Sequence, residues 1–571
     1  MGGIVKKKWV AYNKSYEFTE QLKSHFNISE MLARTLINRG LDNIEKVKRF
    51  MDADIHDMYD PFLMTDMDKA VERILQAIEE NEKICIYGDY DVDGITSTAL
   101  CVNTLRKLEA DVMYYIPVRA EEGYGLNDEA IAHIAEQGAN LIVTVDCGIR
   151  SIDTVETVKK SGMDIIITDH HECGDILPDA YAIVNPHRHD CSYPFKELAG
   201  VGVAFKLMQA VTESIGYSEL LFEVIDIAAI GTIADVVPLL DENRIIVKKG
   251  LEKLMNTENV GLKALIDMSD LKDKQISSYN IAFIIAPRIN AAGRLADASR
   301  CVELLITEDE ALAYEIAKEL ETENKERQRI EAEILEQAIA KLTSTKDFEN
   351  SRIIVLDEQN WHAGVIGIVA SRIVEQFNKP SILIARDHET GKGSARSMSG
   401  FNLYEAMCKC SELFEKFGGH EMAAGLTIKA EYIGAFRKKI NEVAEEMLLG
   451  KELLPELLVD YKLEPADISL QVAKQLKNLE PFGMGNPNPN FVCRNMQILD
   501  RKLVGTSSKH LSLNLYDGNN NIKAIAFNMG NLYNVLSIGK KIDIICCMDI
   551  NLWNNNENVQ LVIKDIKLIK N

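Results

Sequence analysis

The sequence predicts an α/β chain of several domains: a parallel-sheet domain, a long connecting helix, a smaller α/β domain and a terminal domain of short β-runs. Three observations carry this. Apolar runs that end in polar residues, at 83–94, 141–146 and 165–171, alternate with helix-period segments such as Asp128-Glu129-Ala130-Ile131-Ala132-His133-Ile134, the pattern of βαβ repetition. From Thr307 to Thr343 there is neither Gly nor Pro, and Leu312, Ile316 and Leu320, then Ile330 and Ile334, recur every four residues among charges. After about residue 450 short β-rich runs are punctuated by Gly483, Gly485, Pro487, Pro489, Gly505, Gly518 and Asn519–Asn521.

In chain order, residues 1–65 form an N-terminal segment expected to pack on the first domain, which spans 66–306. Its first strand is Lys83-Ile84-Cys85-Ile86-Tyr87, followed by a Gly/Asp-rich turn and a helix from about Ile95. The connecting helix occupies 307–343, at about 1.5 Å per residue long enough to join two domains and leave a groove between them. A second α/β unit, 344–450, holds Arg352-Ile353-Ile354-Val355-Leu356, a Gly-rich turn at 361–367, a helix to about Phe377 and the strand Ser381-Ile382-Leu383-Ile384-Ala385. Residues 451–571 read as a small barrel of OB type, although periodicity alone equally allows a sandwich.

The 571 residues carry 64 Lys plus Arg and 87 Asp plus Glu, a formal charge of −23, with 46% apolar and 26% charged residues. That balance is globular and argues against long disorder. No run of about 18 uncharged apolar residues occurs, and the first residues, Met1-Gly2-Gly3-Ile4-Val5-Lys6-Lys7-Lys8, lack a signal-like apolar stretch, so a cytoplasmic protein away from membranes is expected. The 11 Cys form no CxxC pair, which fits reduced thiols and argues against a zinc ribbon. The acidity is uneven. Residues 451–571 hold 14 Lys plus Arg against 12 Asp plus Glu, a net of +2, which leaves −25 on residues 1–450. Net charge therefore does not exclude a nucleic-acid partner for the terminal domain.

The strongest chemical signal is Asp89-Tyr90-Asp91-Val92-Asp93-Gly94 directly after a buried strand. Alternating carboxylates on one side of a backbone repel one another unless cations neutralise them. A calcium EF-hand loop matches the opening but fails at its twelfth position, Leu100, and in its strand-like approach. Asp146 and Asp169-His170-His171 add carboxylates and imidazoles at two further strand ends, and Asp235 lies inside an apolar run where an acid needs compensation. Mixed Asp/His donors suit Mn²⁺, Mg²⁺ or Fe²⁺. In open parallel sheets such residues share the crevice beyond the strand ends.

These residues, in order and approximate spacing, resemble the motifs of the DHH phosphoesterases, and within that superfamily the branch of single-strand-specific 5′→3′ DNA exonucleases. More discriminating are Ile116-Pro117-Val118-Arg119 with Gly123-Tyr124-Gly125-Leu126, Leu198-Ala199-Gly200-Val201-Gly202-Val203-Ala204, and Pro287-Arg288-Ile289-Asn290-Ala291-Ala292-Gly293-Arg294-Leu295. The second unit supplies Trp361-His362-Ala363-Gly364-Val365-Ile366-Gly367, Gly393-Ser394-Ala395-Arg396-Ser397 and Phe417-Gly418-Gly419-His420, as in the DHH-associated domain. Tyr87 departs from the family, many of whose members have His four residues before the Asp91 position.

The resemblance implies a two-metal phosphodiester hydrolase, with two divalent cations, Mn²⁺ or Mg²⁺, held by Asp91, Asp93, Asp146, His170 and Asp235. Asp89 and His171 would orient ligands or touch the scissile phosphate. Arg119, Ser394 and Arg396 are candidates for the terminal 5′-phosphate, Arg288, Asn290 and Arg294 for phosphates further along, and Gly418, Gly419 and His420 for close substrate contact. In the terminal domain Phe482, Phe491, Tyr516, Phe527, Lys502, Lys509 and His510 are candidates for stacking and phosphate tracking. The implied function is release of mononucleotides from single-stranded DNA in repair and recombination by a monomer, with single-strand-binding protein and a helicase as partners. The alternatives are a DHH phosphodiesterase of short oligonucleotides or cyclic dinucleotides and, in a different class, a non-catalytic strand-binding scaffold.

Overall fold

The computed structural model describes residues 7–569 apart from 119–121, 124, 296, 345–350, 451–453, 506 and 554–555. The chain forms two compact units, one of Ala11–Glu321 with Val459–Asn571, the other of Thr322–Leu458 with the first ten residues.

The larger unit is built on a parallel sheet of β1 (Ile84–Gly88), β2 (Val112–Tyr115), β3 (Leu141–Val145), β4 (Asp164–Thr168) and β5 (Ala182–Val184), in the spatial order β2-β1-β3-β4-β5. β1 and β3 are buried throughout, which is why they read as continuous apolar runs rather than alternating ones. In register, Gly88 lies beside Val145 and Val145 beside Thr168. The next residue of each strand, Asp89, Asp146 and Asp169, therefore falls in one row at the carboxyl edge of the sheet.

Helix α1 (Val92–Lys107) leaves this edge, α2 (Gly200–Ser214) and α3 (Ile225–Ala234) pack against it, and α4 (Asp241–Leu254) packs on α3. A later helical stretch, Ser278–Leu295, has a π-helical turn at Ile281–Ile285 and ends in α5 (Ala286–Leu295). The connector is the 35-residue helix α6 (Glu310–Ser344).

The smaller unit contains β6 (Ile354–Gln359), α7 (Ile366–Phe377), β7 (Ser381–Arg386), β8 (Thr390–Arg396), β9 (Phe414–Gly419) and β10 (Ala423–Lys429), with sheet order β9-β10-β8-β7-β6. Only the β6–β7 pair is parallel.

The C-terminal strands are β11 (Phe491–Val504), β12 (His510–Tyr516), β13 (Asn521–Ala526), β14 (Lys541–Trp553) and β15 (Asn556–Leu568). They run β11-β12-β13-β15-β14, and β14 pairs back onto β11, so the sheet closes into a five-stranded barrel of OB topology rather than a sandwich. The N-terminal segment divides. Met58, Tyr59 and Met64 join the core of the parallel-sheet domain, whereas Leu22, Leu32, Leu36, Val47 and Phe50, the buried faces of helices 19–26, 30–38 and 44–52, share a core with the barrel.

Candidate active site

The acidic turn after β1 is shaped by its glycine and by a helix cap. One oxygen of Asp91 accepts the backbone N–H groups of Asp93 (2.9 Å) and Gly94 (3.1 Å), capping α1. A Cβ on Gly94 would lie 2.5 Å from the backbone N and O of Asp89, so only glycine lets the turn fold back on itself. Asp93, buried in the first helical turn, accepts Gly200 N–H on one oxygen and Val201 N–H on the other, both at 2.7 Å. The N-terminus of α2 thus fixes this carboxylate. Gly200 also presses against Asp146, whose Oδ1 would be 2.6 Å from an added Cβ. Asp146 itself adopts a left-handed backbone, φ 61°, a conformation uncommon outside glycine.

His170 closes the cluster. Its Nε2 is 3.1 Å from Asp146 Oδ1, 3.7 Å from Asp235 Oδ2 and 3.9 Å from Asp93 Oδ2. Asp235 sits at the end of α3, which approaches α1 so closely that a Cβ on Gly231 would strike the Thr96 hydroxyl. Three ligand groups result, each with donor atoms within 4.8 Å of one another: Asp146, His170 and His171; Asp93, His170 and Asp235; Asp89, Asp91 and Asp146. They overlap at Asp146 and His170. All seven sequence candidates for the catalytic cluster therefore meet, and Asp89 and His171 stand within ligand reach.

Asp169 has a different part. Its Oδ1 accepts from His170 N (2.8 Å) and His171 N (3.1 Å) and pairs with His171 Nδ1 (2.7 Å), while Oδ2 accepts Ile149 N (3.0 Å). It orients the two histidines instead of facing a cation. Burial opposes its charge, but these bonds, led by that to His171, outweigh burial and hold the carboxyl below its usual range. The same contact raises the pKa of His171 against its own desolvation.

The other acids behave oppositely. Burial first, then neighbouring carboxylates, push Asp93 up to about 7 and Asp235 up to about 9, and raise Asp146 well above the ordinary range. Burial, then the nearby His171, lowers His170 to about 4, leaving its imidazole neutral and able to ligate. This is the charge state that divalent cations would relieve. Asp235 Oδ2 is buried and accepts no hydrogen bond among the described residues, which also fits a cation. The donors are oxygen and imidazole. The adjacent thiol, Cys147, is directed at the Tyr87 carbonyl (3.8 Å) and held protonated by burial, so the set suits Mn²⁺ or Mg²⁺ over thiolate-bound zinc. Tyr87 offers the cluster no imidazole or carboxylate. Its hydroxyl donates to the Gly125 carbonyl (3.0 Å) and its ring stacks on Tyr115.

The substrate candidates fall in both units. Arg119 lies outside the described residues. Arg288 is engaged by Glu321 (2.7 Å) and by the Ile284 carbonyl. Asn290 and Arg294 are half-buried on α5, whose Gly293 would meet the Tyr90 carbonyl 2.6 Å from an added Cβ, so this helix abuts the acidic turn. In the smaller unit, Gly418 of β9, Gly425 of β10 and Ser394 of β8 form one cross-strand row. Arg396 donates to Ser394 Oγ (3.1 Å), and the first turn of α7 overlies both through Gly367. Gly419 ends β9 and His420 opens the β9–β10 turn, both exposed, and His420 N–H donates to the Ala423 carbonyl (2.7 Å).

Of the barrel candidates, Phe491 is fully buried and belongs to the barrel core, among Leu511, Leu513 and Ile544. Phe482 packs on the same core, Tyr516 donates to the Gly518 carbonyl, and Phe527 is exposed edge-on to His510, near the exposed Lys502 and Lys509. Sequence reasoning passed over the orienting role of Asp169 and the anchoring of Asp93 by backbone N–H groups. The adjacency of Asp169 to two histidines and of Gly200 to Gly202 was the available signal.

Family models match in chain order: the DHH family N-terminal domain over residues 83–232, the DHHA1 domain over 350–446 and the RecJ OB domain over 459–565. The single-stranded-DNA-specific exonuclease RecJ of Bacillus subtilis is 42% identical over 562 residues, covering 98% of this chain and 71% of the relative. That of Escherichia coli is 35% identical over 558 residues, covering 94% and 95%. The crystal structure of Thermus thermophilus RecJ in complex with Mn²⁺ aligns with a TM-score of 0.85 at 30% identity over 99% of this chain and 80% of that one, and the Mg²⁺ complex with 0.79 at 28% over 99% and 79%. With three domain models in order and full-length identity of this size, the chain belongs to the RecJ family of the DHH superfamily.

Proposed function

We propose that the chain hydrolyses single-stranded DNA exonucleolytically with divalent cations, releasing mononucleotides from the 5′ end in DNA repair and recombination. The observation that carries this is the set of three ligand groups linked through Asp146 and His170, on a fold shared with exonucleases whose structures hold Mn²⁺ and Mg²⁺. Asp91, Asp93, Asp146, His170 and Asp235 would hold the cations, with Asp89 and His171 beside them. Bound there, two such ions activate water and stabilise the attacking and leaving oxygens of an in-line displacement. The chain's own groups set the frame. Gly200 and Val201 N–H hold Asp93, Asp169 orients His170 and His171, and the neutral His170 keeps its lone pair for ligation.

Polarity needs an end-recognition site. Ser394, Arg396 and the amides at the start of α7 combine a hydroxyl, a guanidinium and a helix N-terminus, a set that suits a terminal phosphate. Arg119, Asn290 and Arg294, with Gly418, Gly419 and His420, supply further substrate contacts in this reading, and Arg288 acts through its pairing with Glu321. The closed barrel favours a long strand over a dinucleotide substrate, which needs no such surface. Among the described residues no helix is long and apolar enough to cross a membrane. A cytoplasmic monomer working beside single-strand-binding protein and a helicase completes the proposal.

The test is digestion of single-stranded DNA labelled separately at each end, with Mn²⁺ or Mg²⁺, comparing wild type with Asp146→Ala. Mononucleotides from the 5′ label alone, lost in the variant, are expected. Cleavage confined to a dinucleotide control would transfer the assignment to a small-substrate phosphodiesterase.

A further inference from the structure

The helical stretch Ser278–Leu295 has two faces. Ile281, Ile285, Ile289 and Ala292 are buried, whereas Tyr279 and Phe283 are 64% and 66% exposed, and Asn290 and Arg294, further along, are half-buried. The two rings lie one above the other, centroids 4.6 Å apart and planes inclined by 34°. Two large aromatic surfaces left in water at the same place are costly unless something covers them. The stretch also has definite ends. At one, Ser278 Oγ donates to the Phe482 carbonyl (2.6 Å), and Phe482 packs on the barrel core. At the other, Gly293 abuts the Tyr90 carbonyl between Asp89 and Asp91. A π-helical turn, Ile281–Ile285, carries Phe283 and separates Tyr279 from α5.

We infer that Tyr279 and Phe283 form a base-stacking platform for the single strand between the barrel and the metal centre. This rests on the function proposed above. A strand held on the barrel and cut at the carboxylates must cross the interval that this helix spans, roughly 22 Å from Tyr279 to Arg294 at about 1.5 Å per residue. Along it the side chains that reach solvent change from aromatic, at Tyr279 and Phe283, to polar, at Asn290 and Arg294, in the order such a strand requires. Bases stack on rings without regard to sequence, and Asn290 and Arg294 offer donors to phosphate nearer the chemistry. The π-helical turn widens the helix where the rings emerge.

The experiment measures binding of a 5′-phosphorylated oligothymidylate, long enough to pass Phe283, in EDTA so that the strand survives. In Tyr279→Ala and Phe283→Ala the dissociation constant should rise by about five- to 150-fold per ring. Melting temperature and Mn²⁺ binding should stay at wild-type values, since both rings project into solvent. Tyr279→Trp and Phe283→Trp should retain affinity, and their added fluorescence should be quenched by the strand. Unchanged affinity of the double alanine variant, or an unquenched tryptophan, would overturn the inference while leaving the exonuclease assignment intact. A wild-type protein that binds no strand would instead sink both.

Discussion

Replacing Gly200 by alanine tests how tightly the metal centre is built. The new Cβ would stand 2.6 Å from Asp146 Oδ1, 2.7 Å from its Cβ and 2.8 Å from its Cγ. Carbon atoms in contact prefer about 3.5–4.0 Å, so Asp146 or the start of α2 must retreat by roughly 0.8 Å. The backbone tolerates the change, and alanine's helix propensity favours it by about 1 kcal/mol, against roughly 1–3 kcal/mol for overpacking. Fold stability should therefore change by no more than about 2 kcal/mol. Catalysis should suffer more, because a displacement near 1 Å costs on the order of 100-fold, equivalent to about 2.7 kcal/mol in the barrier. Initial rates of nucleotide release across an Mn²⁺ titration, with Mn²⁺ binding followed by electron paramagnetic resonance, should show kcat/KM lower by about 100-fold and weaker metal binding. Gly434→Ala, where an added Cβ meets nothing within 4 Å, serves as the control and should leave both unchanged. Activity of the Gly200 variant within threefold of wild type, with unaltered Mn²⁺ affinity, would refute the account of Asp146.

Asn243 donates from one amide nitrogen to the Glu197 and Pro238 carbonyls, tying the loop before Gly200 to the loop after Asp235, so Asn243→Leu should raise the Mn²⁺ concentration for half-maximal activity by about tenfold with strand binding unchanged; equal metal response would count against it. Gly367→Ala would place a Cβ 2.8 Å from Ser394 Oγ and 3.0 Å from Arg396 Nη2, and should reduce preference for a 5′-phosphorylated strand by about tenfold without changing Mn²⁺ affinity; intact end preference in competition digests would remove the phosphate site. With cations removed, the raised pKa values of Asp93 and Asp235 mean that the folded chain keeps protons the unfolded chain has lost above about pH 4, so stability falls as pH rises through 7 and 9. Below about 6.5 the depressed pKa of His170 works the other way, so the useful window is pH 7–9, where melting temperature should drop in EDTA and hold steady in Mn²⁺. A flat EDTA profile there would contradict the crowding of carboxylates.

Much of this site was legible because a parallel sheet lines up its strand ends. Asp89, Asp146 and Asp169 each follow an apolar run, and the register of Gly88, Val145 and Thr168 turns sequence punctuation into spatial adjacency. What remained hidden depends on pairings without a sequence period. Asp169 reads like its neighbours but spends both oxygens on the His170–His171 turn and Ile149. Phe491 and Phe527 are both stacking candidates by residue type, yet Phe491 packs in the barrel core while Phe527 stands in solvent. The division of the N-terminal segment was equally unreadable, since an amphipathic helix announces that one face is buried and not against which core.

The segment after Asp235 shows how the centre is held at the required precision. Four consecutive residues at the start of α4 reach four different places. Asp241 pairs with Arg49 and accepts from Tyr59, and Glu242 with Lys206 and Tyr193. Asn243 clamps the two loops, and Arg244, fully buried against the Phe50 ring, donates to the carbonyls of Phe50, Leu479 and Glu480 ahead of the barrel. Leu239 N–H adds a bond to Met484 O (2.8 Å). A wholly buried pair such as Lys206–Glu242 contributes little net stability relative to apolar packing, because desolvation offsets its attraction. Its directional bonds do fix geometry, since any displacement strands a buried charge or carbonyl. A pair of divalent cations held by ligands on separate elements would demand that kind of fixity. The anchors beside Asp235 also seat the barrel's approach segment, so the barrel and the metal centre share one support.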